Sequence, residues 1–192
     1  MFNNDNTTIL FILCIIFLVG FIYISTTENM TLMQSTIDGE LYKVRDLPDK
    51  QLAANMLATI KLNIQVIVNY LYTNKTKYPK YTKYINYLLD NYKYITIREN
   101  STNSSTTSYS INKQNLVFCL RSKELHDNSI HQMNLIMYVV LHELAHVACP
   151  VYDNHGTQFK TVFTFLISIA KQLNLYSDLE LNGTIEYCGI KI

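Results

Sequence analysis

The segment Leu141-His142-Glu143-Leu144-Ala145-His146 constrains this chain more than any other feature. Around it Leu135, Met137, Val139, Val140, Leu144 and Val147 recur as on a helix packed against a core, and Pro150 stands just past the end. The helix is predicted from about Ile130 to Cys149, with Asp127, Asn128 or Ser129 as its cap. Residues four apart share a helical face with Cβ atoms about 5–6 Å apart, so His142 and His146 can each aim a ring nitrogen at one ion about 2.0–2.1 Å away. The helix thus supplies half of a tetrahedral metal site. Glu143 is turned about 100° from His142 around the axis, beside such an ion without pointing at it. A carboxylate there can act as base toward a water whose acidity zinc raises.

A catalytic zinc needs a third protein ligand and one open position. His155, nine residues past His146, is the leading candidate, and Asp153 is a rival. The stretch Cys149-Pro150-Val151-Tyr152-Asp153-Asn154 reads as a turn. From Thr157 a second helix carries Phe159, Val162, Phe163, Leu166, Ala170 and Leu173 on one face. His155 then sits at the mouth of that helix, where Gly156 gives the backbone freedom. Tyr152 and Tyr187 could donate to an oxyanion, although packing is the plainer reading of both. His126 and His131 lie in a polar stretch and read as surface residues. Cys149, one turn after His146, reads as a buried thiol.

Sixteen basic against fifteen acidic residues in a chain of 192 allow one domain with a core plus a tail. That balance gives no electrostatic reason for a nucleic-acid partner. The four cysteines, Cys14, Cys119, Cys149 and Cys188, show no C-x-x-C spacing, and they read as buried small hydrophobes rather than a disulfide framework.

From Ile9 to Ile24 the chain runs ILFILCIIFLVGFIYI without a charge, and Thr7, Thr8 and Ser25 extend the tolerable stretch. A bilayer core of about 30 Å needs about 20 helical residues, with a range of roughly 17 to 25, so this run is just long enough to span. The preceding MFNNDNTT has no Lys or Arg and no small-x-small site follows, which favours an uncleaved anchor over a signal peptide. The first basic residue is Lys43, so charge bias assigns no orientation. Sequons at Asn29, Asn74, Asn100, Asn103 and Asn182 carry no weight in a chain this rich in Asn, Ser and Thr.

Residues Ser25 to Glu40 are polar and contain Asp38-Gly39, and they read as a linker. Past Leu47-Pro48-Asp49, the residues Leu52, Met56, Ile60, Ile64, Ile67 and Leu71 form a helical stripe. A turn near Asn74 to Pro79 leads to a helix at Tyr81 to Tyr92, and Tyr94 to Arg98 alternates like a strand. A hairpin is predicted with arms Ser108 to Ile111 and Asn115 to Leu120, turning through Asn112-Lys113-Gln114.

The run LHELAHVACPVYDNHGTQF resembles the core of the SprT-like and WLM zincin metallopeptidases, in which H-E-x-x-H is followed by a third His opening the next helix. His155-Gly156-x-x-Phe159 adds to that likeness. Residues 41–192 resemble the small metallopeptidase-like proteins of giant DNA viruses, through VRDLPDKQLAANMLATI, FCLRS and Tyr187-Cys188-Gly189. The resemblance implies His142, His146 and His155 as metal ligands, Glu143 as catalytic base and Zn2+ as cofactor. It implies an α+β fold, a minimal zincin-like domain of small sheet plus H-E-x-x-H helix, behind the N-terminal transmembrane helix. The chain departs from the DNA-repair members, with no zinc ribbon, ubiquitin-binding segment or basic tail, which argues against a DNA–protein crosslink role.

The organisation expected is an anchor over residues 1–25, a linker over 26–40 and a metallopeptidase domain over 41–192. The function expected is a membrane-anchored zinc endopeptidase of viral origin acting on a protein or peptide substrate, at a host or virion membrane. Its rivals are a protein in which zinc is purely structural and an anchored binding module holding no metal.

Overall fold

The computed structural model describes residues 4–191 except 28, 102, 103, 105, 125, 126, 152, 153 and 180–184. His126, Tyr152, Asp153 and the sequons at Asn103 and Asn182 lie outside the described residues. The chain opens with helix α1 (Asn4–Thr27), whose side chains from Ile9 to Val19 are all exposed.

The stretch read as a linker contains a strand. β1 (Met30–Gln34) pairs antiparallel with β2 (Leu41–Arg45), Met30 facing Arg45 and Gln34 facing Leu41. The tip closes through hydrogen bonds from Ser35 N–H to the Glu40 carbonyl at 2.8 Å and from Gly39 N–H to the Ser35 carbonyl at 3.0 Å. Gly39 has φ of +74°, which a side chain would resist. Tyr42 and Val44 on β2 are buried, so the folded domain already includes this hairpin.

Helix α2 (Lys50–Asn74) buries Ala53, Leu57, Ile60, Ile64, Ile67 and Leu71, spaced as a helical face requires. Among the described residues it is the one helix long and apolar enough to cross a membrane, but nearly half of its most apolar part is buried in the core. Helix α3 (Thr82–Tyr92) buries Ile85 and Leu88. A three-stranded sheet follows in the order β3 (Thr96–Glu99), β5 (Asn115–Phe118), β4 (Tyr109–Ile111), with β3 parallel and β4 antiparallel to β5. The β4–β5 turn has the expected position, with Ile111 opposite Asn115 and positive φ at Asn112 and Lys113.

Helix α4 (Met133–Ala148) carries the central motif and begins later than its predicted start at Ile130. None of the three expected caps serves it. Gln132 is its N-cap, and Asp127 instead accepts hydrogen bonds from Ser129, from N–H at 2.8 Å and from Oγ at 3.1 Å. Ile130 bridges to Arg121, which holds this segment extended. At the other end the Lys113 ammonium donates to the carbonyls of Cys149 and Pro150, placing positive charge at the negative end of the helix. Helix α5 (Thr157–Gln172) packs on α4, with Phe159 and Phe163 against α4 rings, and buries Phe159, Val162, Phe165, Leu166, Ile169 and Ala170, Phe165 stacking on Tyr81. A short hairpin, β6 (Glu186–Tyr187) and β7 (Ile190–Lys191), ends the described chain. The fold is therefore a mixed α+β arrangement around one core.

Two further features escaped the sequence. Cys119 and Cys188 form a disulfide across 69 residues, correcting the reading of all four cysteines as buried hydrophobes; Cys149 is buried and Cys14 is exposed. A charged cluster also ties the N-terminal hairpin to the sheet. Glu99 and Arg121 are both fully buried, with Arg121 Nε donating to Glu99 Oε1 at 2.8 Å. The Arg45 backbone N–H donates to Glu99 Oε2 at 2.7 Å, and Arg121 Nη1 donates to Asp49 Oδ2 at 2.5 Å. A buried carboxylate persists only when its lone pairs are met this way.

Candidate metal centre

His142 and His146 project from one face of α4, and His155 reaches the same point from the turn before α5. The Nε2 atoms are 3.3 Å apart between His142 and His146, 3.2 Å between His146 and His155, and 3.0 Å between His155 and His142. Two nitrogens bound to one tetrahedral zinc at about 2.0–2.1 Å are separated by about 3.3 Å. The three rings therefore already present a donor set that fits zinc. Among the described residues this is the cluster of His, Cys, Asp and Glu able to hold an ion, and its atoms lie within 4.8 Å of one another.

The turn that delivers His155 uses Asn154, with φ of +54°, as its left-handed residue. Gly156 has φ −67° and ψ −170°, an extended conformation open to any residue, so the freedom expected of that glycine is not used. Phe159, one turn into α5, backs all three rings, with centroid distances of 4.8 Å to His142, 4.4 Å to His146 and 4.7 Å to His155. Phe163 touches His142 as well, at 5.5 Å. Phe159 was legible only as a core residue, since a helical stripe does not reveal which ring faces a ligand.

Burial, followed by the neighbouring His146 and His155, pushes His142 down to about 4, which favours the neutral imidazole that a metal requires. Glu143 is 4% exposed, and burial pushes its carboxyl up to about 7. Its side chain lines a cavity of about 160 Å³ with Thr107, Ser108, Tyr138, His142 and Tyr187. A larger concavity of about 600 Å³, bounded by Ile130, Asn134, Leu179 and Ile185, includes neither Glu143 nor the triad. The smaller one is the cavity that receives the Glu143 carboxyl and a ring of the triad.

His131 is not the surface residue expected. It is largely buried, its ring centroid lies 5.2 Å from that of Tyr187, and its Nε2 accepts a hydrogen bond from Cys188 N–H at 3.4 Å. Tyr187 is buried too, with Oη 2.5 Å from Ser108 Oγ. Burial raises its phenol well above the usual range, hydrogen bonding to Ser108 and to the Cys119 backbone offsets part of this, and the Glu143 carboxylate adds to it.

The fold and site define an α+β protein with a histidine triad beside a buried carboxylate. The chain is 37% identical over 183 residues to "Uncharacterized protein R325" of Acanthamoeba polyphaga mimivirus, a match covering 94% of this chain and 91% of that protein. It is 34% identical over 71 residues to "Uncharacterized protein 136R" of Invertebrate iridescent virus 6, covering 37% of this chain and 39% of that protein. The chain belongs to the family of the mimivirus protein, and its relatives are viral, as the resemblance to giant-virus proteins implies. No protein-family model matches the chain, and no solved structure does.

Proposed function

We propose that this protein is a membrane-anchored zinc endopeptidase with a minimal zincin arrangement akin to the SprT-like and WLM enzymes. The observation that carries the reading is the convergence of three Nε2 atoms within 3.0–3.3 Å, beside a buried Glu143. His142, His146 and His155 would hold the ion. Zinc supplies Lewis acidity there, acidifying water and polarising a carbonyl oxygen. Glu143, one residue from a ligand and facing the cavity, takes the proton of the attacking water and returns it to the leaving amine. Phe159 and Phe163 keep the triad's far side dry and fix the ring orientations.

The anchor rests on the uncharged run from Ile9 to Ile24 and on the exposed apolar side chains of α1. The Cys119–Cys188 bond favours an oxidising side for the domain, such as a virion surface, because disulfides rarely persist in reducing cytosol. With sixteen basic against fifteen acidic residues, the chain's net charge gives no reason to invoke nucleic acid.

The test is metal analysis of the purified full chain beside H142A and H155A, followed by peptidase assay with Glu143→Gln. The expected result is about one zinc per chain, lost in both His variants, with cleavage abolished in Glu143→Gln while zinc is retained. Zinc without any cleavage by the wild type would leave a structural metal protein, and no zinc after reconstitution would leave an anchored binding module.

A further inference from the structure

The small cavity at Glu143 has a second polar wall that the hydrolytic scheme above does not use. Tyr187 closes it from the C-terminal hairpin, far from α4 in sequence. Ser108 Oγ accepts the Cys119 N–H at 2.9 Å, and its own hydroxyl lies 2.5 Å from Tyr187 Oη. With Ser108 as donor to the phenol oxygen, the donors run from Cys119 N–H through Ser108 to Tyr187. The phenol proton is then left for the cavity that holds Glu143. A buried hydroxyl with its oxygen already met from behind is a fixed donor, and such a donor acts best on charge that develops during a reaction.

What brings the phenol there is equally specific. Tyr187 is joined directly to Cys188, and Cys188 is bonded to Cys119, the residue just past β5 whose N–H begins the donor chain. The β6–β7 hairpin consists of two residues per strand, with positive φ at Cys188 and Gly189 between them. So short a hairpin has little core of its own to hold it. The disulfide supplies a covalent tie, and the His131 ring and Glu186 add weaker ones, Glu186 accepting from the N–H groups of Gly189 and Lys123.

We propose that Tyr187 is a catalytic residue of this site, donating a hydrogen bond to the carbonyl oxygen of the scissile peptide as negative charge develops on it, and that the Cys119–Cys188 disulfide positions it. As water adds to the carbonyl carbon, the carbonyl π electrons move to that oxygen. Tyr187 keeps its proton and shares it as a hydrogen bond, so no oxidant or further reactant enters. The site is then complete only in the oxidised chain. This assignment rests on the hydrolase reading.

The experiment uses the full chain in detergent, reconstituted with zinc, as wild type, Tyr187→Phe, Ser108→Ala and the double variant Cys119→Ala with Cys188→Ala. The probes are a library of phosphinic pseudotripeptides, whose anionic oxygens mimic the developing oxyanion, and acetohydroxamate, a small zinc-directed ligand. Binding is read by calorimetry and zinc by elemental analysis. Tyr187→Phe should keep its zinc and its hydroxamate affinity yet bind phosphinates about 100-fold more weakly. Ser108→Ala and the cysteine variant should lose about tenfold or more through a misplaced phenol. Ser108→Ala leaves the disulfide intact, so it carries the positioning test should the cysteine variant fail to fold. Tyr187→Phe binding phosphinates as tightly as the wild type would overturn the role of Tyr187, with the hydrolase reading intact. Unchanged phosphinate binding in both a folded cysteine variant and Ser108→Ala would overturn the positioning. A wild type that holds no zinc, or binds no phosphinate, would remove the hydrolase reading and this assignment with it.

Discussion

The ring of Phe159 packs against the ring of His146 with centroids 4.4 Å apart and planes inclined by 34°. The same ring touches His142 and His155, so a single buried side chain on α5 orients donors from both sides of the turn. Groups behind metal ligands set ligand orientation, and losing one weakens metal binding by about 10- to 100-fold. Phe159→Leu keeps the position apolar but removes the flat contact. The expected outcome is zinc affinity lower by about tenfold, measured by competition with a fluorescent chelator, with the α-helical circular dichroism unchanged. Equal affinity in the variant would mean that α4 and the turn before α5 suffice to fix the rings.

Glu99 on β3 joins the N-terminal hairpin to the segment after β5, accepting from Arg121 Nε and from the backbone N–H of Arg45. Replacing it with Gln would leave the buried Arg121 guanidinium without its charged partner on β3. Breaking one partner of a buried pair costs about 3–5 kcal/mol. Asp49 still reaches Arg121 from a partly exposed position, so the lower part of that range is expected. Urea unfolding of Glu99→Gln against wild type measures it, and a difference below about 1 kcal/mol would show that the cluster is held mainly by its apolar surroundings.

How much was legible follows from the range of each signal. The stripe Leu52, Met56, Ile60, Ile64, Ile67 and Leu71 and the apolar spacing around His142 repeat every three or four residues, so α2 and α4 could be read locally, although Leu52, in the first turn of α2, is exposed and not core. Asn112-Lys113 announced the β4–β5 turn for the same reason. β1 was hidden because Met30-Thr31-Leu32-Met33-Gln34 is short and half polar. Asp38-Gly39, read as linker chemistry, was in fact the hairpin tip. Glu99 with Arg121 and Cys119 with Cys188 were invisible, since pairing across 22 and 69 residues leaves no local period. At the site, the spacing of His142 and His146 fixed their shared face. The approach of His155 runs through the left-handed turn at Asn154, and Tyr187 reaches the cavity from a hairpin tied to Cys119, contacts with no local period.

His131 gives the fold an acid-sensitive joint under the C-terminal hairpin. Burial lowers its pKa below the usual value, outweighing Glu186, the backbone contact at Arg121 and Asp127, all of which raise it. The folded state therefore binds this proton less readily than the unfolded chain. Its contribution to stability is complete above the unfolded value of about 6.5 and is lost progressively as the pH falls below it. The wild type should lose stability between about pH 6.5 and 5, and His131→Gln, which cannot take up the proton, should lose less over that interval. Chemical denaturation of zinc-free protein at the two pH values isolates this term from metal release. Identical slopes in both proteins would place the acid sensitivity elsewhere.

The disulfide should matter to stability as well as to the site, and the two effects can be told apart. Closing a loop of 69 residues restricts the unfolded chain, and typical disulfides contribute about 2–4 kcal/mol. The double variant Cys119→Ala with Cys188→Ala should therefore unfold at lower denaturant with the α4 motif still in place. The bond joins the residue just past β5 to the terminal hairpin, and α4 and α5 lie within the loop it closes. Zinc affinity should fall by less than threefold in the folded variant, because His142, His146 and His155 are held by α4, the turn before α5 and the Phe159 ring, none of which contains either cysteine. A large loss of zinc affinity at unchanged stability would mean that the hairpin braces the triad itself and not only the far wall of the cavity. On the membrane-anchored reading proposed above, with the domain on an oxidising side, Cys119 and Cys188 should resist a membrane-permeant thiol reagent in membranes carrying the protein until a reductant is added. Labelling before reduction would place the domain on a reducing face and leave the bond a product of isolation.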